Sequence, residues 1–193
     1  MHPEDVEEFV RASVEDFRAR LSAREDTLGV KEVVLERTDL YLMLSLKHLA
    51  RVALSESLAR ELHSAQSLLV AVGPMQMIQQ TAFVPDLGAT SKRDLVLHLA
   101  LDDYDGKPPL AVLRREDRSI LPDSEWPIDP SQRGIVAEHP IYKRKFFCRP
   151  GFREFHEHEQ HADEPWDGIR ESTTLARILL PLLEDLSYRF RLQ

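Results

Sequence analysis

Residues 94–115 read DLVLHLALDDYDGKPPLAVLRR, and this stretch decides the fold. Leucine and valine dominate 94–101, which predicts a buried strand. Residues 102–109 are turn formers that end in Pro108-Pro109. Two prolines fix their own φ and offer no N–H, so they make a rigid corner that launches the next strand over 110–114. Upstream, Leu40, Leu42, Leu44 and Leu46 alternate with Tyr41, Met43, Ser45 and Lys47, a period of two that predicts another strand. Val33, Val34 and Leu35 suggest a strand over 31–37, entered through Gly29. Residues 49–64 read as a helix, and 68–72 as a short strand closed by Gly73-Pro74.

Both ends of the chain carry helical periodicity. Over 3–25, Val6, Phe9, Val10, Val14, Phe17 and Leu21 recur at three- and four-residue spacing, and Glu4 and Asp5 crowd the start where the macrodipole favours them. Near the other end, Ser172 or Thr173 is placed to cap a helix whose stripe is Leu175, Ile178, Leu179, Leu182, Leu186 and Phe190, with Pro181 as a kink. Between strand and final helix, residues 115–137 form a long irregular loop with Pro122, Pro127 and Pro130, anchored by Trp126. Helix, antiparallel strands, long loop, helix: the class is α+β, an antiparallel sheet flanked by N- and C-terminal helices.

The composition bounds the function. With 193 residues the chain is read as one domain over 1–193 that needs no disulfide to fold. Twenty-five basic residues stand against thirty-three acidic ones, a net charge of −8, which argues against a nucleic-acid binder. The acidic, amphipathic start is unlike a secretory leader, no apolar run suits a membrane span, and there is one cysteine, so a cytoplasmic protein is expected. Glycine is scarce, and no phosphate loop or dinucleotide fingerprint is present.

Candidate chemistry concentrates in residues 139–161, HPIYKRKFFCRPGFREFHEHEQH. This segment holds the lone Cys148 and four of the eight histidines, His139, His156, His158 and His161. Thiolate and imidazole are the donors zinc prefers, and a stable Zn²⁺ site needs three or four of them. In an extended segment His156 and His158 share a face, ~6.5 Å apart. In a helical one His158 and His161 do. Pro150-Gly151 is a turn that folds Cys148 back, and Glu154, Glu157, Glu159 and Asp163 are candidates to orient the imidazoles. Four ligands make a closed structural site; three plus a water allow hydrolysis, with Glu157 or Glu154 as base. The spacing matches no standard zinc motif. The competing reading is a metal-free acidic turn whose cysteine packs among Phe146, Phe147 and Phe152. Lys143, Arg144, Lys145, Arg149 and Arg153 surround Cys148. They either balance the protein's own carboxylates or lower the thiol pKa. His2, His48, His63 and His98 are isolated.

Taken together, the strand at 94–101, the Tyr104-to-Pro109 turn, the strand at 110–114, His139-Pro140-Ile141 and the following Cys148 resemble the ubiquitin-conjugating-enzyme (UBC) fold and its RWD relatives. That family places a YPxxPP turn between two strands and a His-Pro-Asn motif before its active cysteine. Ile141 stands where the family has the asparagine that stabilises the oxyanion, and the histidine cluster is not a family feature. Residues 139–170, with HPIY, FFCRPG, FREFHEH and DEPW, are similar to predicted metal-binding proteins encoded beside bacterial ubiquitin-like modifiers. The resemblance implies a zinc-binding UBC/RWD-like protein of a bacterial ubiquitin-like pathway, with a ubiquitin-like modifier or its activating enzyme as partner. The alternatives are a divergent conjugating enzyme with Cys148 as thioester-forming nucleophile, and a non-catalytic interaction module.

Overall fold

The computed structural model describes residues 3–47, 92–104, 106–127, 135, 136 and 138–188. The chain divides into two units, Met1–His48 with Lys92–Gln193, and Leu49–Ser91. All described residues belong to the first, so the expected helix over 49–64 and strand over 68–72 lie outside them.

Helix α1 spans Pro3–Leu21, with Glu4 and Asp5 in its first turn and Arg18 and Arg20 in its last, both complementing the macrodipole. Val10, Val14, Phe17 and Leu21 are fully buried on one face. Phe9, expected in that stripe, is instead 42% exposed. After the single turn α2 (Glu25–Leu28), Gly29 takes φ +66°, and a Cβ there would meet the Ser45 carbonyl oxygen at 2.6 Å. Only glycine suits both the torsion and the approach.

Four strands follow as a meander: β1 (Val30–Glu36), β2 (Asp39–Lys47), β3 (Lys92–Ala100) and β4 (Leu110–Arg114), antiparallel in the order β1-β2-β3-β4. The register sets Leu40 opposite Leu99, Leu42 opposite Leu97 and Leu44 opposite Leu95. On β4, Ala111 faces Leu99 and Leu113 faces Leu97. One sheet face is therefore a ladder of leucines, buried with the inward stripes of α1 and of the last helix. Each such leucine stabilises the fold by ~1.5–3 kcal/mol relative to exposure. The other face carries His98, read from sequence as isolated. Arg114 Nε–H donates to its Nδ1 (3.1 Å), its Nε2–H donates to Asp39 (2.7 Å), and Tyr41 stacks on the ring.

Pro108 and Pro109 are buried at the corner between β3 and β4. Their carbonyls accept from Arg153, Pro108 from the side-chain Nε–H (3.1 Å) and Pro109 from the backbone N–H (2.9 Å). The corner thus holds the short helix α3 (Arg153–His156) directly. Trp126 anchors the long loop as expected: it is buried, donates to the Leu121 carbonyl, and lies against Phe147. A two-stranded ribbon pairs β5 (Ile135–Val136) with β6 (Phe146–Phe147).

The last helix, α4, runs unbroken through Pro181 from Leu175 to Tyr188. Its cap is one or two residues later than the sequence suggested. Thr174 Oγ accepts the N–H of Arg177, while Ser172 belongs to a 3₁₀ turn. Leu175, Leu179, Leu182, Leu183 and Leu186 close the core. Among the described residues no helix is long and apolar enough to cross a membrane.

Candidate thiol and imidazole site

Residues 138–172 contain little regular structure, so side chains hold the site together. The two geometries considered for the histidines resolve in favour of neither full strand nor long helix. After α3 comes a turn, then a 3₁₀ turn over Glu159–His161. His158 and His161 sit at its two ends with ring centroids 6.0 Å apart.

His139 is fully buried. The N–H groups of Ile141 (3.1 Å) and Tyr142 (3.4 Å) donate to its Nδ1, so the proton resides on Nε2, which donates to the Glu154 carbonyl (2.9 Å). Burial, above all, lowers its pKa and keeps it neutral. His156 is used the same way. Gly151 N–H donates to its Nε2 (3.1 Å), and its Nδ1–H donates to the Glu164 carbonyl (2.7 Å). Burial lowers this pKa as well. Both rings act as cross-links between turns, and a metal on either would first have to break those bonds.

Glu154 lies beneath them, fully buried. Its Oε2 accepts the Ala111 N–H (3.3 Å) and its Oε1 pairs with Arg144 (3.2 Å). Burial outweighs that pairing and pushes its pKa up to about 7. Glu157 accepts the Tyr142 hydroxyl. The two carboxylates considered as bases are thus bonded to other groups.

Cys148 and His161 are brought together. Sγ lies 3.4 Å from His161 Nε2, and His161 Nδ1 lies 3.2 Å from Glu164 Oε1. A carboxylate only accepts, so Nδ1 carries the ring proton and Nε2 is free to accept from the thiol. Phe155 stacks on the imidazole with centroids 3.7 Å apart. Gly151 supports the turn from below at φ +97°, where a Cβ would strike Ile178 at 2.8 Å.

Of the two readings of the basic flank, the ion pairs favour charge balance over a field that lowers the thiol pKa. Arg149 pairs with Asp185 (2.7 Å), Arg144 with Glu154, and Arg153 with Asp102 (2.8 Å). Burial and then the Glu164 charge raise the Cys148 pKa above its ordinary value. The resting group is a thiol.

Glu164 escaped the sequence reading, which placed the orienting carboxylates at 154, 157, 159 and 163. The signal was there: Glu164 is three residues after His161, and its N–H donates to the His161 carbonyl in a continuing turn (2.9 Å).

For zinc, the relevant observation is the donor set. Among the described residues no group of three or more His, Cys, Asp or Glu side chains is placed to hold an ion. Two ligands on one tetrahedral zinc stand ~3.5 Å apart, given Zn–S ~2.3 Å and Zn–N ~2.0 Å. The Cys148–His161 separation suits that span. His158, at the other end of the 3₁₀ turn, is a reserve donor, its Nδ1 accepting from Gln160 N–H (3.3 Å). As placed, the set is one donor short.

No protein-family profile matches the chain, and a search of curated proteins finds no significant match.

Proposed function

We propose that this chain is a UBC/RWD-like domain of a bacterial ubiquitin-like modification pathway, and that Cys148 accepts the C-terminal acyl group of the modifier as a thioester. The observation that carries this reading is the line from Cys148 Sγ through His161 to Glu164, at 3.4 and 3.2 Å. A nucleophile, a base and an orienting group in hydrogen-bond reach are what activates a thiol that rests protonated. The order of elements supports the fold half of the reading: helix, four-strand meander, Pro-Pro corner before β4, then His139-Pro140 and Cys148.

The step balances without a cofactor. The modifier arrives as a thioester on the cysteine of its activating enzyme. Cys148 Sγ attacks the carbonyl carbon as its proton passes to His161 Nε2, and Glu164 stabilises the imidazolium. The bond to the activating enzyme's sulfur breaks, and that thiolate takes the proton back. Ile141 supplies no side-chain donor to the oxyanion, so transfer onward to an acceptor amine is expected to be slow.

The test is transthioesterification from a fluorescent Gly-Gly thioester that mimics a modifier tail. A reductant-labile adduct on Cys148 is expected, absent in Cys148→Ala and slowed ~10²-fold in His161→Ala. No adduct in the wild-type protein overturns the reading.

A second reading is zinc binding by Cys148, His161 and His158, with Glu164 on the distal nitrogen of His161. Its specific support is that 3.4 Å is close to the ~3.5 Å spacing of two ligands on one ion. It needs His158 to swing in, and it leaves His139 and His156 as cross-links. Stoichiometric zinc in purified protein, lost in His158→Ala, favours it; a metal-free protein that forms the adduct removes it.

A further inference from the structure

A cleft of about 610 Å³ runs between α1 and residues 166–175, lined among others by Phe9, Ala12, Tyr104, Trp166, Arg170 and Leu175. Its volume lies in the ~300–1,000 Å³ range of small-molecule sites. Three aromatic rings form a row along it: Phe9 to Tyr104 is 5.9 Å between centroids, and Tyr104 to Trp166 is 6.4 Å. Phe9 is one of three large hydrophobic residues left exposed among the described residues, and it stands at this cleft.

A separate observation concerns polar atoms. Tyr104 is 4% exposed and Trp166 is 7% exposed. The tyrosine hydroxyl and the indole N–H are both buried, with no hydrogen-bond partner among the described residues. More than nine-tenths of buried polar groups in native proteins are paired, and an orphan costs ~1–3 kcal/mol. Two orphans on neighbouring rings that line one cleft are unmet hydrogen-bonding capacity beside it. The indole can only donate, so the missing partner is an acceptor.

Charge narrows the class. Of the charged residues lining the cleft, Asp16 pairs with Arg20 and Arg170 with Asp167 (3.7 Å), which leaves the Glu171 carboxylate as the excess charge. A carboxylate ligand would meet excess negative charge, so the acceptor is an uncharged oxygen. We propose that this cleft binds a neutral, planar aromatic molecule that carries a carbonyl oxygen, its ring stacked along Phe9, Tyr104 and Trp166. The carbonyl accepts from Tyr104 and Trp166, whose rings turn toward it on binding. The proposal is independent of the chemistry at Cys148.

Prodan, a neutral naphthalene bearing a ketone, is a suitable probe, because its emission shifts to the blue when it leaves water. Titration of the full chain is expected to give saturable one-to-one binding. Ala12→Trp, at an exposed helix position, fills the cleft and weakens binding at least ~10-fold, equivalent to ~1.4 kcal/mol. Tyr104→Phe gives opposite signs in two measurements. It removes a buried orphan and holds or raises the melting temperature, yet weakens prodan ~5-fold or more through the lost donor. Ile120→Ser, at an exposed hydrophobic residue outside the cleft lining, leaves binding unchanged. Absence of saturable binding overturns the proposal, as does equal affinity in wild type, Ala12→Trp and Tyr104→Phe.

Discussion

The leucine-faced sheet and the segment 138–172 hold their shape by opposite means. In the sheet, Leu40, Leu42, Leu44, Leu95, Leu97 and Leu99 face one another across β2 and β3, and every contact has neighbours of the same kind. In the segment, Phe147, Phe152 and Trp166 join the core, but the turns between them are set by single bonds: His139 to Glu154, His156 to Gly151 and Glu164, Glu154 to Ala111. Apolar packing is non-directional and spreads a loss over many contacts. A hydrogen-bonded turn depends on one donor finding one acceptor. The consequence is a body that tolerates apolar exchanges of equal volume, and a site that depends on particular donors and acceptors.

Three experiments bear on this contrast. The largest effect is expected from the sheet: Leu97→Ala, at a fully buried position, should cost ~2–5 kcal/mol in urea unfolding. A loss below ~1 kcal/mol would mean the ladder is not the stabilising core.

The next effect belongs to the segment and depends on pH. Glu154 has its folded pKa raised from 4.5 to about 7, chiefly by burial. The folded state therefore binds the proton more tightly than the unfolded state. The stability this contributes is full below pH ~4.5 and is lost as pH rises through ~7. His98, His139 and His156 are shifted down by burial, so their contribution runs the other way and fades as pH falls below ~6.5. The difference between wild type and Glu154→Gln isolates the carboxyl: wild type should gain relative to the variant by up to ~3 kcal/mol from pH 8 to pH 4.5. Parallel pH curves for the two proteins would show that Glu154 is not the titrating group.

The smallest effect tests the junction between the two regions. Thr174→Ala removes the cap of α4 and should cost ~1 kcal/mol, with faster amide exchange confined to the first turn of the helix. Faster exchange spread over β2 and β3 would merge the two regions into one cooperative unit.

Legibility in the sequence follows the same divide. Alternating leucines located β2, three- and four-residue spacing located α1 and α4, and Pro108-Pro109 located the corner, because these patterns are local and periodic. Phe9 was misplaced because a stripe does not tell which of its edge positions the neighbouring elements cover. In the site, Cys148 and His161 were among the candidates, but neutral imidazoles of identical type serve as cross-links at 139 and 156. Which role a ring takes depends on the backbone groups opposite, and those are set by turns without periodicity. The sequence left the role of the charge around Cys148 open for a related reason: the partners of Arg149 and Arg153, Asp185 and Asp102, lie 36 and 51 residues away.

Glu164 offers two different oxygens to two different rings, its main-chain carbonyl to His156 and its carboxylate to His161. Exchanging the side chain therefore frees one imidazole and leaves the other seated. Adding or removing a residue between 161 and 164 would displace both together, so spacing here is constrained more tightly than identity. A chain built on the same plan is expected to vary the acid at this position before it varies the distance to it.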